Sequence, residues 1–287
     1  MKKNRIILAG SGYLGDNIIS LLSEMSHNYL ISEISRTKKN RNANINSIQH
    51  DIDDSIDLDL DLKGSKIIYM APPDSSTTGD LRITKFINTI SKHKIERFIY
   101  ISTSGVYGNC DGNKVNELKS TNPITDRAKR RVDAENKLMK YCDKNSVELL
   151  ILRVPGIYGK NRLPIKRIMN REPLIEKSQS RTTNLIHVED LSRIVIKSLE
   201  ITVQRTEIIN VSDGAAIKTT EYYEKVYDAL GVNLPQYISY EEAKKTYDKK
   251  RLSFLNESRV LDTAKMKKMF PGCIKYTKLS DGIKASL

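Results

Sequence analysis

The chain has 287 residues, of which 39% are hydrophobic and 29% charged, enough for a large core in one or two globular domains. No apolar run approaches the roughly 20 residues of a membrane span, and the three cysteines and four histidines are too few and too scattered for a disulfide framework or a common zinc site. The net charge is +13, but its clusters (Lys38-Lys39, Lys244-Lys245, Lys249-Lys250-Arg251 and Lys267-Lys268) are dispersed, so nucleic acid is not the expected partner.

Lys2, Lys3 and Arg5 precede an apolar run of about four residues, too short for a signal peptide, and the reducing cytoplasm is the expected compartment. Arg5-Ile6-Ile7-Leu8-Ala9 reads as the first strand. It runs into Gly10-Ser11-Gly12-Tyr13-Leu14-Gly15 and then into a helical pattern around Asn17–Leu22. A G-x-G-x-x-G turn between strand and helix is where a dinucleotide fold needs it. Gly10 makes the tight turn, Gly12 lets a pyrophosphate approach the backbone, and Gly15 lets helix and strand pack closely. Ser11, Tyr13 and Leu14 join these glycines as expected cofactor contacts.

Tyr29 to Ile34 reads as the second strand, whose end faces the adenosine ribose. Arg36 then meets the ribose and can fork onto a 2′-phosphate, with Lys38 nearby, which favours NADP. Glu33 is the rival: a strand that ended earlier would let it hold both ribose hydroxyls and favour NAD. Asp51 follows a short third strand, Ser47 to Gln49, and is placed to reach the adenine amino group. The acidic stretch Asp51–Leu62 resembles a calcium loop, but counting from Asp57 the sixth and twelfth places hold Leu62 and Ile68 instead of Gly and Glu. It is expected to be a loop and an alternating amphipathic segment, and no metal site is expected.

Lys66 to Ala71 reads as the fourth strand, ended by Pro72-Pro73; Ala71 and Pro72 join the cofactor set. Leu81–Ile90 is helical, Arg97–Ser102 a strand, Asp126–Lys144 a long charged helix and Val147–Leu152 a buried strand. After Pro155 the alternation weakens. A strand is expected near Thr183–Ile186, a helix from Val188 to Leu199 and a strand from Glu207 to Val211. Helices follow near Thr219–Leu230, Tyr240–Tyr247, Thr263–Met269 and from Leu279. The fold class is α/β: a Rossmann doubly wound parallel sheet with a smaller C-terminal substrate-binding lobe. The Rossmann domain takes residues 1–155 and about 185–213; the lobe takes 156–184 and 214–287.

Tyr100-Ile101-Ser102-Thr103-Ser104-Gly105-Val106-Tyr107-Gly108 resembles the strand-and-loop motif of the extended short-chain dehydrogenases/reductases, the sugar-nucleotide epimerase/dehydratase family. Three further segments resemble that family in order: Leu152–Gly159 its R-x-x-x-x-Y-G, Leu185–Leu191 its F-I-H-V-x-D-L, and Ile209-Asn210-Val211 its final strand. The resemblance implies a nicotinamide dinucleotide, hydride transfer at a sugar carbon, and a Ser or Thr, a Tyr and a Lys arranging the proton. Thr103 matches the Ser/Thr. Aligning on Glu135 places Arg131 where the family has its Lys and Arg127 where it has its Tyr, and no tyrosine lies between Tyr107 and Tyr141. Arginine stays charged and cannot serve as that acid or base. Arg131 can still hold the nicotinamide ribose.

The chain therefore looks like the atypical subset that lacks the tyrosine. Ser104 and Gly105 stand where the family's dehydratases carry Asp-Glu, which disfavours a sugar 4,6-dehydratase. Ser104, Gly105, Tyr107, Arg162, Arg181 and His187 form the expected substrate set, the arginines for an anionic group such as a diphosphate. An oxidoreductase or epimerase-like enzyme acting on a nucleotide-sugar or similar anionic small molecule is the first expectation. A non-catalytic NADP sensor is the second, and a homodimer is an open possibility.

Overall fold

The computed structural model describes residues 4–25, 29–42, 44–54, 61–248, 251–252 and 255–287. Seven strands form the central sheet: β1 (Asn4–Ala9), β2 (Tyr29–Ser35), β3 (Ile45–Gln49), β4 (Ser65–Tyr69), β5 (Arg97–Thr103), β6 (Glu148–Val154) and β7 (Thr206–Asn210). Their order is β7-β6-β5-β4-β1-β2-β3, so the chain starts in the middle and winds outward in both directions. β1 lies parallel to both neighbours, with Ile7 opposite Ser32 on one side and Ile67 on the other. β2 with β3 and β4 with β5 are parallel as well. Such strands are covered on both faces, which is why they read as apolar runs.

The helices that cover the sheet carry apolar residues at helical spacing. α1 (Tyr13–Glu24) buries Leu14, Ile18 and Leu22; α2 (Leu81–Ile90) buries Ile83, Phe86 and Ile90. Asp80 caps α2 by accepting the Ile83 N–H. The 20-residue α3 (Asp126–Asn145) buries Ala134, Leu138 and Tyr141. Tyr69, Phe86 and Phe98 stack in the core between them, the Tyr69 and Phe86 ring centres 4.9 Å apart.

Contacts divide the chain into two compact units. One is Met1–Val106, Asp126–Arg153 and Ser192–Ile209; the other is Tyr107–Thr125, Val154–Leu191 and Asn210–Leu287. The second has its own core, including Tyr158, Ile168, Leu174, Leu185, Val226, Tyr227 and Ile283. It is stitched by two-strand pairs too short to announce themselves in sequence. The strand expected near Thr183–Ile186 is two pieces, Thr182–Thr183 and Leu185–His187, each with a different partner. Asn184 between them turns its amide to the Arg259 carbonyl and the Leu261 N–H, so the chain changes partners there.

β2 runs one residue beyond its expected end, to Ser35, and β4 stops at Tyr69, two residues early. Of the acidic stretch, residues 55–60 lie outside the described residues, as do Lys2-Lys3 and Lys249-Lys250. Asp53 pairs with Arg82. Among the described residues no cluster of His, Cys, Asp and Glu can hold a metal, and no helix is long and apolar enough to cross a membrane.

Candidate dinucleotide and substrate sites

Gly10 has a φ of +75°, and a Cβ there would stand 2.6 Å from the Cβ of Ala71. The turn therefore brings β1 against the end of β4. The N–H groups of Gly10 and Ser11 both donate to the Ile34 carbonyl, at 3.0 and 2.9 Å, tying the turn to β2. A Cβ on Gly15 would stand 2.3 Å from the Ser11 hydroxyl oxygen. Gly12 differs: a Cβ there meets nothing within 4 Å. It is the N-cap of α1 and supplies no side-chain cap. The helix end is left open where a phosphate can accept its N–H groups, so the residues fit a dinucleotide. Tyr13 is half-buried at the start of α1 and Leu14 is buried beneath it.

The C-terminal end of β2 is filled in an unexpected way. Glu33 is completely buried. One carboxylate oxygen accepts the Ser11 hydroxyl at 2.7 Å, and the guanidinium of Arg41 grips both, its Nε at 2.6 Å and Nη2 at 3.0 Å. Lys39 donates to the Ser11 carbonyl and to Asp16, each at 2.7 Å. Arg36 is exposed just past the strand end. Asp51 is half-buried and accepts the Asp53 N–H at 3.1 Å. Ala71 is buried, and the exposed Pro72 gives its carbonyl to Arg82 at 2.6 Å.

Thr103 ends β5, and its hydroxyl accepts the Gly105 N–H at 3.2 Å, capping the tight turn Ser104–Tyr107. The Cβ position of Gly105 lies 3.5 Å from that hydroxyl and 3.8 Å from Ala128 of α3, so Thr103 lies beside the first turn of α3. Arg127, next to Ala128, is exposed. Arg131, one turn on, reaches back to the sheet: its Nη1 lies 3.0 Å from the Tyr100 hydroxyl, 3.0 Å from the Ile101 carbonyl and 3.4 Å from the Ala71 carbonyl. Burial pushes the Tyr100 phenol up to about 12, with Arg131 drawing it back. Tyr100 is thus locked in its neutral form and fully buried. Glu135, another turn along, is buried against Arg153 at 2.7 Å and takes the Ser102 hydroxyl at 2.5 Å. Sequence reasoning used Glu135 only as an alignment mark and missed its partner.

In the second unit, Ser104's neighbour Tyr107 is fully buried and its hydroxyl donates to Asn210 at 2.8 Å. His187 is also buried. Its Nδ1 accepts the Glu189 N–H at 3.3 Å, so Nε2 carries the proton and faces the Ser286 hydroxyl at 3.2 Å. Its ring lies 4.1 Å from that of Tyr276 and 5.1 Å from that of Tyr158. These contacts place His187 in the packing of the unit. Arg162 and Arg181 are exposed.

A cavity of about 370 Å³ in this unit is lined instead by Arg167 and Arg251 with Tyr222, Tyr223 and Tyr247, among others. Arg167 donates to the Tyr223 hydroxyl at 3.1 Å, and Arg251 lies 3.4 Å over the Tyr247 ring while pairing with Glu172 at 2.7 Å. Neither arginine stands in a motif. The partners that frame them lie from 4 to 79 residues away in sequence, so only the fold could find them.

The sheet order, the glycine turn and the open start of α1 define a Rossmann-type dinucleotide-binding α/β protein. The NAD dependent epimerase/dehydratase family pattern matches residues 6–212, and the chain belongs to that family. It is 21% identical over 253 residues to a putative UDP-glucose 4-epimerase of Methanocaldococcus jannaschii, covering 79% of this chain and 82% of the relative. It is 25% identical over 221 residues to the human dTDP-D-glucose 4,6-dehydratase, covering 66% of this chain and 63% of that one. Among solved structures, MoeE5 in complex with UDP-glucose and NAD superposes with a TM-score of 0.78 at 17% identity, over 99% of this chain and 97% of the other.

Proposed function

We propose that this protein is an NADP-dependent oxidoreductase or epimerase acting on a nucleotide-sugar or similar anionic small molecule. The observation that carries the cofactor choice is Glu33. An acid that reads ribose hydroxyls needs oxygens free to face them. Those of Glu33 are taken by Ser11 and Arg41, while Arg36 is exposed just past the end of β2 and free to fork onto a 2′-phosphate in this reading. UDP-sugar 4-epimerases among the relatives support the substrate class. The absence of Asp-Glu after Thr103 argues against the dehydratase branch.

In this reading Gly10, Gly12 and the start of α1 hold the pyrophosphate, Asp51 the adenine, and Arg131 the nicotinamide ribose. Bound nicotinamide supplies or accepts the hydride. The Thr103 hydroxyl, which accepts from Gly105, keeps its own hydrogen to donate to the reacting oxygen. The cavity between Arg167 and Arg251 takes an anionic part of the substrate; its volume suits a small ligand. Arg127 in the tyrosine's place is what favours the second reading, a non-catalytic NADP sensor. The family relatives named as epimerases weigh against it. Three free, buried cysteines fit a reducing cytoplasm. A homodimer is testable by light scattering.

Calorimetric titration tests the cofactor. NADPH should bind more tightly than NADH, and Arg36→Ala should narrow the gap by roughly 1–3 kcal/mol, the worth of a hydrogen bond to a charged phosphate. Equal affinities in the wild type would remove the NADP reading. A panel of nucleotide sugars, followed by cofactor absorbance, then separates enzyme from sensor.

A further inference from the structure

We infer that Glu33 is a positioning residue for a 2′-phosphate clamp made by the segment Arg36–Arg41, and not a reader of the ribose. The inference rests on the NADP reading above and deepens it. β2 ends at Ser35. The segment after it is pinned at its start, where the Ser35 hydroxyl donates to the Thr37 carbonyl at 2.7 Å and the Gln49 amide to the Arg36 carbonyl at 3.2 Å. It is pinned again at its far end. Arg41 forks onto the buried Glu33 and also contacts Asp16, on the first turn of α1. Lys39 bridges Asp16 and the Ser11 carbonyl.

The side chains of Lys39 and Arg41 are only 17% and 18% exposed, so these two cations are held against the glycine turn and do not wave in solvent. Burial works against the Glu33 carboxylate, but hydrogen bonds from Arg41 and Ser11, with Lys39 3.8 Å away, outweigh it and hold its pKa below the usual range. Glu33 is therefore charged and bound to its cation at neutral pH.

The charge balance points to a dianion. Lys39 and Arg41 pair with Asp16 and Glu33, and the exposed Arg36 and Lys38 add two further positive charges to the segment. Two positive charges are left over, and a phosphate monoester carries about −1.5 to −2 at pH 7. A neutral ribose hydroxyl pair offers nothing to match them. Glu33 fixes the fork of Arg41 from below, and an arginine already oriented loses less freedom when it takes up a phosphate.

The two roles for Glu33 predict opposite signs. Affinities of NADPH and NADH are measured by calorimetry on the wild type, Glu33→Gln and Arg41→Ala, with thermal melts as a folding control. A positioning Glu33 makes Glu33→Gln lose roughly tenfold in NADPH affinity, the scale of one charge-assisted contact, while NADH changes little, so the preference shrinks. Arg41→Ala, on the exposed side of the pair, gives the same direction and keeps the test alive should Glu33→Gln not fold. A Glu33 that reads the ribose would lose NADH affinity on mutation and so raise the NADPH preference; that result, or an unchanged ratio in both variants, overturns the inference and leaves the NADP reading standing. A wild type that binds NADH as well as NADPH sinks both, and the wild type alone decides that.

Discussion

Single residues separate the open part of the glycine turn from its packed part. Gly10 and Gly15 each have a neighbour where a Cβ would go, Ala71 and Ser11; Gly12 has none. Gly12→Val should therefore leave the protein folded, since its Cβ meets no neighbour, with the thermal midpoint lowered by a few degrees because valine is a poor N-cap. It should weaken dinucleotide binding by at least about a hundredfold, because the valine occupies the pyrophosphate's space. A folded Gly12→Val protein with full cofactor affinity would show that this turn is not the site. A second residue carries a pH signature. Burial raises the Asp213 carboxyl to about 6 despite hydrogen bonds from Ala215 and Ser212. The native state then holds this proton to higher pH than the unfolded chain does. Its effect is a stability that falls as pH rises from about 4 to 6 and stays low above. Asp213→Asn, which keeps the carbonyl acceptor, should stabilise the protein at pH 7.5 by roughly 1–3 kcal/mol and make no difference below pH 4. Urea unfolding at the two pH values checks it.

At the scale of elements, a buried ion pair helps fasten α3 to the sheet. Glu135 on α3 meets Arg153 on β6 and Ser102 on β5, so three elements converge on one carboxylate. Glu135→Ala removes the carboxylate that faces the buried Arg153 guanidinium and should cost about 3–5 kcal/mol, measured by urea unfolding. A cost under 1 kcal/mol would mean that water reaches the arginine. The elements were legible wherever period and punctuation agree. The strand before Gly10 and the apolar Ile18, Ile19 and Leu22 of α1 follow from local chemistry, whereas β4 ends at Tyr69, before the Pro72-Pro73 expected to stop it. Illegible were the parts decided by distant partners. Glu33 stands in the sequence as the rival ribose acid, and its grip by Arg41, eight residues on, has no local signal. Tyr107 and His187, expected in the substrate set, make buried hydrogen bonds to Asn210 and Ser286, about a hundred residues away, which no local pattern announces. Two-residue strands such as Lys114–Val115 and Val260–Leu261 are too short for any alternation to show.

The whole molecule joins a dinucleotide fold that needs little from its side chains to a reaction that needs a proton donor. The family pattern spans residues 6–212, and the resemblance read from Glu135 aligns the exposed Arg127 with the acid/base tyrosine. Tyr100, which Arg131 touches, does not take over that role: it is buried with its pKa raised to about 12 and cannot exchange a proton near neutral pH. The wild type should therefore turn over nucleotide sugars slowly, with a pH profile that lacks the step of a tyrosine and lysine pair and a rate that falls further in Thr103→Ala. Arg127→Tyr with Arg131→Lys restores the missing pair. The lysine ammonium has three donors for the three acceptors that Arg131 now serves, the Tyr100 hydroxyl and the Ile101 and Ala71 carbonyls, so the fold should tolerate the change. General acid–base catalysis contributes typically 10²–10⁴-fold; a gain of even tenfold in the double variant, with a new ionisation in its pH profile, would place the proton transfer at position 127. Fast wild-type turnover that the double variant loses would mean instead that the two arginines carry the chemistry, by holding charge on the substrate and not by moving a proton.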